Sequence, residues 1–216
     1  MFVQEKNFKY FHITTTKQCG NMKDFYFREK FCINNNINPS KIVFASQIHG
    51  TSVQKVSSAD ANSFIPNCDG LITDDKNIYL CIFTADCMPV FMADKNKKAV
   101  ALIHAGWRGL AAGILNNAVL SFKNNFNIEA NNIDIYIGPH IKQCCYQVGE
   151  EVLNVFNVNN SNNSYLSLAQ QAKKQLNVLG VKSVVVSPYC TYHNSEQFFS
   201  YRKEKTDGRI MSLIGL

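Results

Sequence analysis

Short apolar runs that end in polar turns constrain the fold of this chain more than any other sequence feature. Tyr79–Thr84 is apolar at nearly every position, which is typical of a strand that is buried on both faces. Further strands are predicted at Lys41–Ser46, Leu71–Thr73, Val90–Ala93, Ala99–Ile103, Ile133–Ile137 and Val181–Ser187. Some of these runs follow one another directly and helices separate others, so the pattern predicts a mixed sheet rather than a purely parallel one.

Three segments are predicted as helices. Leu110–Phe122 carries apolar residues at helical spacing, and Glu150–Phe156 and Ser167–Leu179 follow it in the chain. Asparagine-rich loops are predicted at Asn34–Asn38 and Asn157–Asn163. The sequence has no internal repeat and no long linker, so residues 1–216 are predicted to form one compact α/β domain (α+β mixed) with helices flanking mixed sheets.

Charge and hydropathy narrow the range of partners. The formal net charge is +6, but the basic clusters are short and do not alternate with stacking aromatic residues, so no nucleic-acid site is predicted. The excess positive charge fits a small anionic substrate better than a nucleic acid. No apolar run approaches the roughly 20 residues that a membrane helix needs. The first residues show no signal-peptide pattern, and a cytoplasmic location is therefore expected.

The cysteines are predicted to be reduced. The chain has 8 cysteines, and a cytoplasmic protein with a core of this size keeps its thiols free. No Cys-x-x-Cys pair is present, so neither a zinc ribbon nor a thioredoxin-type motif is predicted. The adjacent Cys144 and Cys145 are open to a role as ligands or redox partners, although a structural role is favoured, because vicinal cysteines rarely pair with each other.

Three predicted strands deliver a histidine or a cysteine at the point where the chain turns. His49 follows Lys41–Ser46, Cys87 follows Tyr79–Thr84, and His104 follows Ala99–Ile103. Ligands of open α/β sheets bind at such strand ends. Two imidazoles and one thiolate suit zinc, and three protein ligands leave a fourth position open, as in catalytic zinc sites. The alternative for each residue taken alone is an ordinary hydrogen-bonded histidine or a core cysteine.

Two further segments offer groups that bind anions. Gly106–Gly109 leads into a predicted helix, whose first amide groups attract phosphate or carboxylate, and Arg108 adds a charged fork of donors. Arg202, near the C-terminus, is a second such donor. The alternatives are a tight turn packed by Trp107 and plain surface charge. Walker-type, dinucleotide-binding and serine-hydrolase motifs are absent from the sequence.

At these motifs the chain resembles the YfiH/YlmD-type family, also called the laccase-domain or polyphenol oxidase family. The resemblance runs from about Lys41 to the C-terminus and rests on motifs that occur in the same order. They are Gln47-Ile48-His49-Gly50, Thr84-Ala85-Asp86-Cys87-Met88-Pro89, His104-Ala105-Gly106-Trp107-Arg108-Gly109, Gly138-Pro139-His140-Ile141 with Cys145-Tyr146-Gln147-Val148-Gly149, and Phe199-Ser200-Tyr201-Arg202 with Thr206-Asp207-Gly208-Arg209.

The resemblance implies a zinc-dependent purine nucleoside phosphorylase of the bacterial cytoplasm. The implied substrates are adenosine, inosine, guanosine and S-methyl-5′-thioadenosine, with phosphate as co-substrate and adenosine deaminase as a second activity. The implied fold is compact and similar to that of cysteine-hydrolase toxins. The family's metal ligands correspond to His49, Cys87 and His104, the same residues that end the three strands. Nothing in the sequence fixes the oligomeric state.

The remaining site predictions concern catalysis and substrate. Asp86, beside Cys87, is predicted either to move protons or to orient a neighbouring group. Gln47, Arg108 and Arg202 are predicted to bind substrate or phosphate. Arg28 joins them by resemblance, although Phe27 precedes it here where the family has an asparagine before the arginine.

Other functions remain open at this point. Cysteine, two histidines and a methionine are also a copper ligand set, which fits a polyphenol oxidase. However, the chain has 5 histidines, too few for the additional trinuclear cluster of a multicopper oxidase. A metal-independent hydrolase would use Cys87 as nucleophile with His104 or His49 as base. A non-enzymatic binding or assembly role is the least favoured.

Overall fold

The computed structural model describes residues 1–158 and 164–216, and the strands of these residues form two mixed sheets of six strands each. The strands are β1 (Phe2–Val3), β2 (Phe11–Thr15), β3 (Ile42–Ala45), β4 (Val53–Lys55), β5 (Phe64–Ile65), β6 (Gly70–Thr73), β7 (Tyr79–Thr84), β8 (Met88–Asp94), β9 (Val100–Ala105), β10 (Ile133–Ile137), β11 (Ser183–Val186) and β12 (Ile210–Gly215). The first sheet has the order β1-β2-β12-β7-β3-β5 and the second the order β11-β10-β8-β9-β6-β4.

Each sheet combines parallel and antiparallel pairs. In the first sheet β3 runs parallel to both β5 and β7, whereas β12 is antiparallel to β2 and β7. In the second sheet β10–β11 and β4–β6 are parallel, and β8 and β9 are antiparallel neighbours. The predicted α/β class with mixed sheets flanked by helices is therefore confirmed.

Helices cover the outer faces of both sheets, which places the strands in the two inner layers. The helices are α1 (Phe25–Asn34), α2 (Trp107–Ala111), α3 (Ile114–Phe126), α4 (Glu150–Val155), α5 (Leu168–Val178) and α6 (Tyr201–Glu204). Phe31 of α1 packs on the first sheet, and Phe122 of α3 and Leu176 of α5 pack on the second. Between the sheets, Ile82 of β7 and Phe91 of β8 belong to one buried cluster.

One predicted helix differs from the observed one for a local reason. Leu110–Phe122 was predicted as continuous, but Gly113 at φ +92° separates α2 from α3. That backbone conformation ends one helix and is open mainly to glycine. The predicted helix at Ser167–Leu179 is confirmed, and the Ser167 side chain caps it by accepting a hydrogen bond from the backbone N–H of Gln170. The predicted loop Asn157–Asn163 lies for the most part outside the described residues.

Five elements of the first sheet and its outer layer have no counterpart in the sequence predictions: β1, β2, β5, α1 and β12. The last of these is a central strand in which all six residues are buried. None of the helices in the described residues is long and apolar enough to cross a membrane.

Candidate metal centre

The candidate centre forms where the chain crosses from the first sheet to the second. β7 belongs to the first sheet and β8 to the second, and the residues between them include Asp86 and Cys87. Antiparallel pairing places Met88 opposite Ala105, so Cys87 comes next to Gly106 just beyond the end of β9. The backbone register of β8 and β9 therefore brings Cys87 to the end of the strand that carries His104.

His49 reaches the same place from the first sheet. It lies in the turn after β3, whose parallel pairing with β7 puts the carboxyl ends of both strands side by side. Gln47 fixes this turn: its amide donates to the carbonyl of Phe83 at 2.8 Å, and its oxygen accepts from the Phe83 N–H at 2.8 Å. Both polar atoms of Gln47 thus bind the backbone of β7. Its predicted contact with substrate stays a prediction.

The ligand atoms of His49, Cys87 and His104 lie within 4.8 Å of one another. The two imidazole rings meet edge to face, with 4.8 Å between their centroids. His104 is buried, Cys87 is half-buried and His49 is exposed, so one side of the group faces solvent. The structure therefore gathers the three predicted metal ligands into one cluster that is open to solvent on the side of His49.

Asp69 organises this cluster, although the sequence analysis did not select it. Its fully buried carboxylate lies 2.7 Å from Nδ1 of His104. The same carboxylate accepts hydrogen bonds from three successive backbone N–H groups of the turn after β3: Ile48 at 3.1 Å, His49 at 2.9 Å and Gly50 at 2.7 Å. One side chain therefore orients His104 and holds His49 in its left-handed conformation at φ +61°.

Electrostatic interactions within the cluster favour the thiolate form of Cys87 and the protonated form of His104. Burial raises the pKa of the Cys87 thiol, but the charge and hydrogen bond of His104, aided by His49, outweigh it and bring the pKa to about 6. Burial lowers the pKa of His104, but the Cys87 sulfur and the hydrogen bond to Asp69 raise it to about 9. Cysteine binds metals as the thiolate, so this environment prepares Cys87 for that role.

The donor set fits zinc or copper. Nδ1 of His104 is hydrogen-bonded to Asp69, so Nε2 is the ring nitrogen that remains to bind a metal. Histidines that bind metals are usually oriented by such a carboxylate on the other ring nitrogen. Gly106 provides the room, because a Cβ at that position would lie 3.0 Å from Cys87 Sγ and 3.2 Å from His49 Cδ2. One sulfur and two nitrogens leave a coordination position open for substrate or water.

Asp86 is tied into the protein on both carboxylate oxygens. Thr191 Oγ1 donates to Oδ1 at 2.6 Å, and the backbone N–H of Arg202 donates to Oδ2 at 2.7 Å. Asp86 itself is buried and has φ +89°, a strained conformation for a residue with a side chain. These bonds give Asp86 the means to hold the strained turn that presents Cys87.

Two of the three predicted phosphate-binding arginines lie near Cys87. Arg202 binds Asp86 through its backbone N–H, and Arg108 lies in α2, two residues after Gly106. Burial and the charges of Cys87 and Asp86 raise the pKa of Tyr146 to about 12, and the charges of Arg202 and Arg108 act in the opposite direction. Arg202 also stacks on the Tyr146 ring, with 5.2 Å from Cζ to the centroid. Tyr146 belongs to the motif Cys145-Tyr146-Gln147-Val148-Gly149, and nothing else in the sequence distinguishes it as a site residue.

Arg28 lies elsewhere, on the outer side of the first sheet. Its Nη1 donates to the carbonyls of Met22 at 2.8 Å and Lys23 at 2.9 Å, and its guanidinium lies 5.1 Å from the centroid of the Phe44 ring. Its charge acts on Cys32 and Cys81 rather than on Cys87. A role for Arg28 in binding phosphate stays a prediction.

Residues 26–216 match a family model described as multi-copper polyphenol oxidoreductase laccase. The chain belongs to this laccase family. The family resemblance stated from the motifs is thereby confirmed, and it extends further toward the N-terminus than the motifs themselves.

Curated relatives of this chain carry the name purine nucleoside phosphorylase. The protein YfiH of Escherichia coli is 35% identical over 188 residues, which are 82% of this chain and 75% of YfiH. A purine nucleoside phosphorylase of Clostridium acetobutylicum is 35% identical over 164 residues, 72% of this chain and 70% of that protein. YlmD of Geobacillus stearothermophilus is 33% identical over 195 residues, 80% and 71% of the two chains.

Solved structures of similar proteins agree with the fold. The crystal structure of YlmD from Geobacillus stearothermophilus superposes with a TM-score of 0.91 at 28% identity, covering 99% of this chain and 98% of YlmD. That of the Bacillus licheniformis protein YfiH gives a TM-score of 0.86 at 28% identity, covering 95% and 92%.

Proposed function

We propose that this chain is a zinc-dependent purine nucleoside phosphorylase. The observation that carries the proposal is the convergence of His49, Cys87 and His104 around an accessible space, with Asp69 behind them. Relatives at up to 35% identity are named purine nucleoside phosphorylases, which supports the same reaction class here. Adenosine, inosine, guanosine and S-methyl-5′-thioadenosine are the proposed nucleosides, and adenosine deamination is a proposed second activity.

Zinc is preferred to copper because the other histidines have different partners. His12 uses both ring nitrogens on the backbone, 2.8 Å from the N–H of Glu5 and 2.7 Å from the carbonyl of Tyr10. His140 is buried with Nδ1 2.7 Å from the carbonyl of Gly138, and His193 lies in a different cluster. These positions do not supply the additional imidazoles that a trinuclear copper cluster needs.

The metal and the protein have separate tasks in the proposed reaction. Bound zinc supplies a Lewis acid, which lowers the pKa of water toward ~7 and stabilises developing negative charge. Asp69 keeps His104 in one tautomer and one orientation. Gly106 lies directly before α2. Because it has no side chain, it leaves room there for the side chains of Cys87 and His49.

Phosphorolysis requires a cationic place for phosphate beside the sugar. A phosphate oxygen forms a bond to C1′ of the ribose, the C1′–N9 bond breaks, and the purine leaves with the bonding electrons and takes up a proton. Arg108 and Arg202 are proposed to hold the phosphate, since guanidinium groups bind it through paired hydrogen bonds. Asp86 is proposed as a positioning residue, because both of its oxygens already accept hydrogen bonds from Thr191 and Arg202.

Product analysis tests the proposal directly. Zinc-loaded protein is incubated with adenosine, with and without inorganic phosphate, and the products are separated by chromatography. Phosphorolysis predicts adenine and ribose 1-phosphate only when phosphate is present, whereas deamination predicts inosine in both cases. Cys87→Ala is expected to lower both rates at least about 100-fold, since it removes a direct ligand. Cys19→Ser, outside the cluster, serves as control, and unchanged rates for Cys87→Ala contradict the metal mechanism.

One observation favours a second candidate, a metal-independent cysteine hydrolase. Cys87, His104 and Asp69 form a chain of contacts in which the thiol has a pKa of about 6 and the imidazole is 2.7 Å from a buried carboxylate. This is the arrangement that activates a cysteine nucleophile. Hydrolytic activity that survives a strong chelator and is lost when iodoacetamide labels Cys87 would favour this candidate.

A further inference from the structure

A second cluster of soft donor atoms lies outside the candidate metal centre. It consists of Cys144, Cys145, Cys190 and His193, whose ligand atoms all lie within 4.8 Å of one another. Cys190 is buried, Cys145 is half-buried, and Cys144 and His193 are exposed. The mechanism proposed above uses none of these four residues.

The fold brings the second cluster together from two loops. β10 and β11 are parallel neighbours, so the loops that follow them leave the same edge of the second sheet. An isolated parallel bridge between His140 and Cys190 continues this pairing beyond the strands, and the backbone N–H of Thr191 donates to the carbonyl of His140 at 3.2 Å. Cys144 and Cys145 come from the first loop, and Cys190 and His193 come from the second.

Two separations within the second cluster match those between ligands on one tetrahedral ion. Zinc–sulfur bonds of about 2.3 Å place two sulfurs roughly 3.8 Å apart, and a sulfur and a nitrogen roughly 3.5 Å apart. Cys144 Sγ lies 3.5 Å from Cys145 Sγ and 3.7 Å from Nδ1 of His193. Cys190 and His193 are separated by two residues, a spacing common among zinc ligands.

The surroundings of Cys190 suit a thiolate held by a cation. The backbone N–H of Lys142 donates to Cys190 Sγ at 3.4 Å. Backbone N–H groups of His193 and Tyr192 also face the Cys190 sulfur. Three thiolates and one neutral imidazole around a divalent ion leave one net negative charge, and the half-buried Lys142 ammonium is near Cys190 and Cys144.

We propose that the second cluster binds a structural zinc ion through Cys144, Cys145, Cys190 and His193. Four protein ligands close the coordination shell, so this ion has no position for substrate and differs in kind from the candidate centre with its three ligands. It would cross-link the loops that follow β10 and β11. Thr191 lies between two of its ligands and donates to Asp86, so the ion would also support the turn that carries Cys87.

A disulfide is the competing explanation for sulfurs at these distances. The 3.5 Å between the sulfurs of Cys144 and Cys145 is far longer than the ~2.05 Å of a disulfide bond. A bond between any two of the three sulfurs would also leave the third thiol and His193 without the shared partner that their positions suggest. Metal content and disulfide content therefore separate the two explanations.

Metal analysis of the full-length chain carries the test. Cys87→Ser removes the sulfur of the candidate metal centre, and this variant is purified from zinc-supplemented cells, desalted exhaustively and analysed for zinc. The proposal predicts about one zinc per chain that remains in Cys87→Ser. Adding Cys144→Ser or His193→Ala to Cys87→Ser is expected to remove most of it, whereas adding Cys19→Ser leaves it unchanged.

Cobalt substitution gives an independent reading of the ligands. Thiolate-to-cobalt charge-transfer absorption grows with the number of thiolates, so the second cluster is expected to give about three times the intensity per ion of a site with one cysteine. Three results would overturn the proposal: no tightly bound zinc in Cys87→Ser, zinc that Cys144→Ser and His193→Ala leave in place, or a disulfide between Cys190 and Cys145 or Cys144 in peptides mapped without reduction. Because His193 is exposed, its variant is expected to fold, which circular dichroism checks.

Discussion

The buried carboxylate of Asp69 fixes the positions of both histidines in the candidate metal centre. Asp69 contacts His104 through the side chain and the turn of His49 through the backbone, so two ligands from different sheets share one support. The bonds from three backbone N–H groups and an imidazole also offset the unfavourable burial of the charge. Loss of this carboxylate must therefore affect both histidines at once.

Asp69→Asn is expected to weaken zinc binding about 10- to 100-fold, because the amide supports His104 and the turn less well than the carboxylate. Competition titration against a zinc indicator measures the change. Asp75→Asn is the matched control, since the Asp75 carboxylate also accepts backbone N–H groups, those of Ser58 and Asn77, but lies away from the centre. Equal zinc affinities for the two variants would contradict the role of Asp69.

The pKa of Cys87 predicts how the rate of Cys87 alkylation in the metal-free protein depends on pH. The thiolate is the nucleophile, and the pKa is about 6 rather than the ordinary 9.0. Alkylation of Cys87 by iodoacetamide should therefore rise as the pH increases through about 6 and be nearly constant above 7. In His104→Gln the imidazolium is absent, and the rise is expected to move upward toward the ordinary value. Peptide mass spectrometry follows the labelling, and identical profiles would exclude His104 as the cause.

At the scale of elements, two glycines of the segment around α2 serve different purposes. Gly113 has φ +92°, and a Cβ there would meet only Asn116 Cβ at 4.0 Å, so the backbone conformation alone requires glycine. Gly106 has an ordinary φ of −78°, yet a Cβ would lie 3.0 Å from Cys87 Sγ. The first glycine shapes the helices, and the second leaves room for ligands.

These two roles predict opposite effects of substitution by alanine. Gly113→Ala should lower the free energy of unfolding by about 1–2 kcal/mol, the cost of a left-handed residue with a Cβ, and should leave zinc affinity unchanged. Gly106→Ala should weaken zinc binding with a much smaller change in stability. Urea unfolding and zinc titration of both variants give the comparison, and a Gly106→Ala protein with normal zinc affinity would contradict the crowding argument.

The sequence predicted the strands of the site better than the groups that support it. Tyr79–Thr84 and Ile133–Ile137 have the predicted bounds, because a continuous apolar run is a strong strand signal. His104 lies inside β9 rather than after it, since pairing with β8 carries the strand to Ala105. Asp69 escaped notice because a buried aspartate looks like a surface one in sequence. Its place before the apolar run Leu71–Thr73 was the available signal.

The C-terminal strand joins distant parts of the chain. β12 pairs with β2 on one side and with β7 on the other, and its Leu213 is fully buried against the layer that contains α1. The short run Ile210–Gly215 was not predicted as a strand, because its importance depends on partners that are about 200 and 130 residues earlier in the chain.

Leu213→Ala is expected to destabilise the protein by about 2–5 kcal/mol, as deletion of a fully buried leucine side chain leaves a cavity. Leu120→Ala is the control, because Leu120 is 45% exposed on α3 and its loss should change stability by about 0.5 kcal/mol or less. Chemical denaturation measures both. Similar values for the two leucines would show that β12 is dispensable for the fold.

The crossing from β7 to β8 has a mechanical consequence for the ligands. His49 is anchored to one sheet and His104 to the other, while Cys87 sits on the segment that bridges them. Any sliding of the two sheets against each other alters the distances among the three ligand atoms, so a tightly bound ion would oppose such sliding. Metal affinity therefore depends on how well side chains fill the space between the two sheets, and substitutions there are expected to change it even when they lie far from the ion.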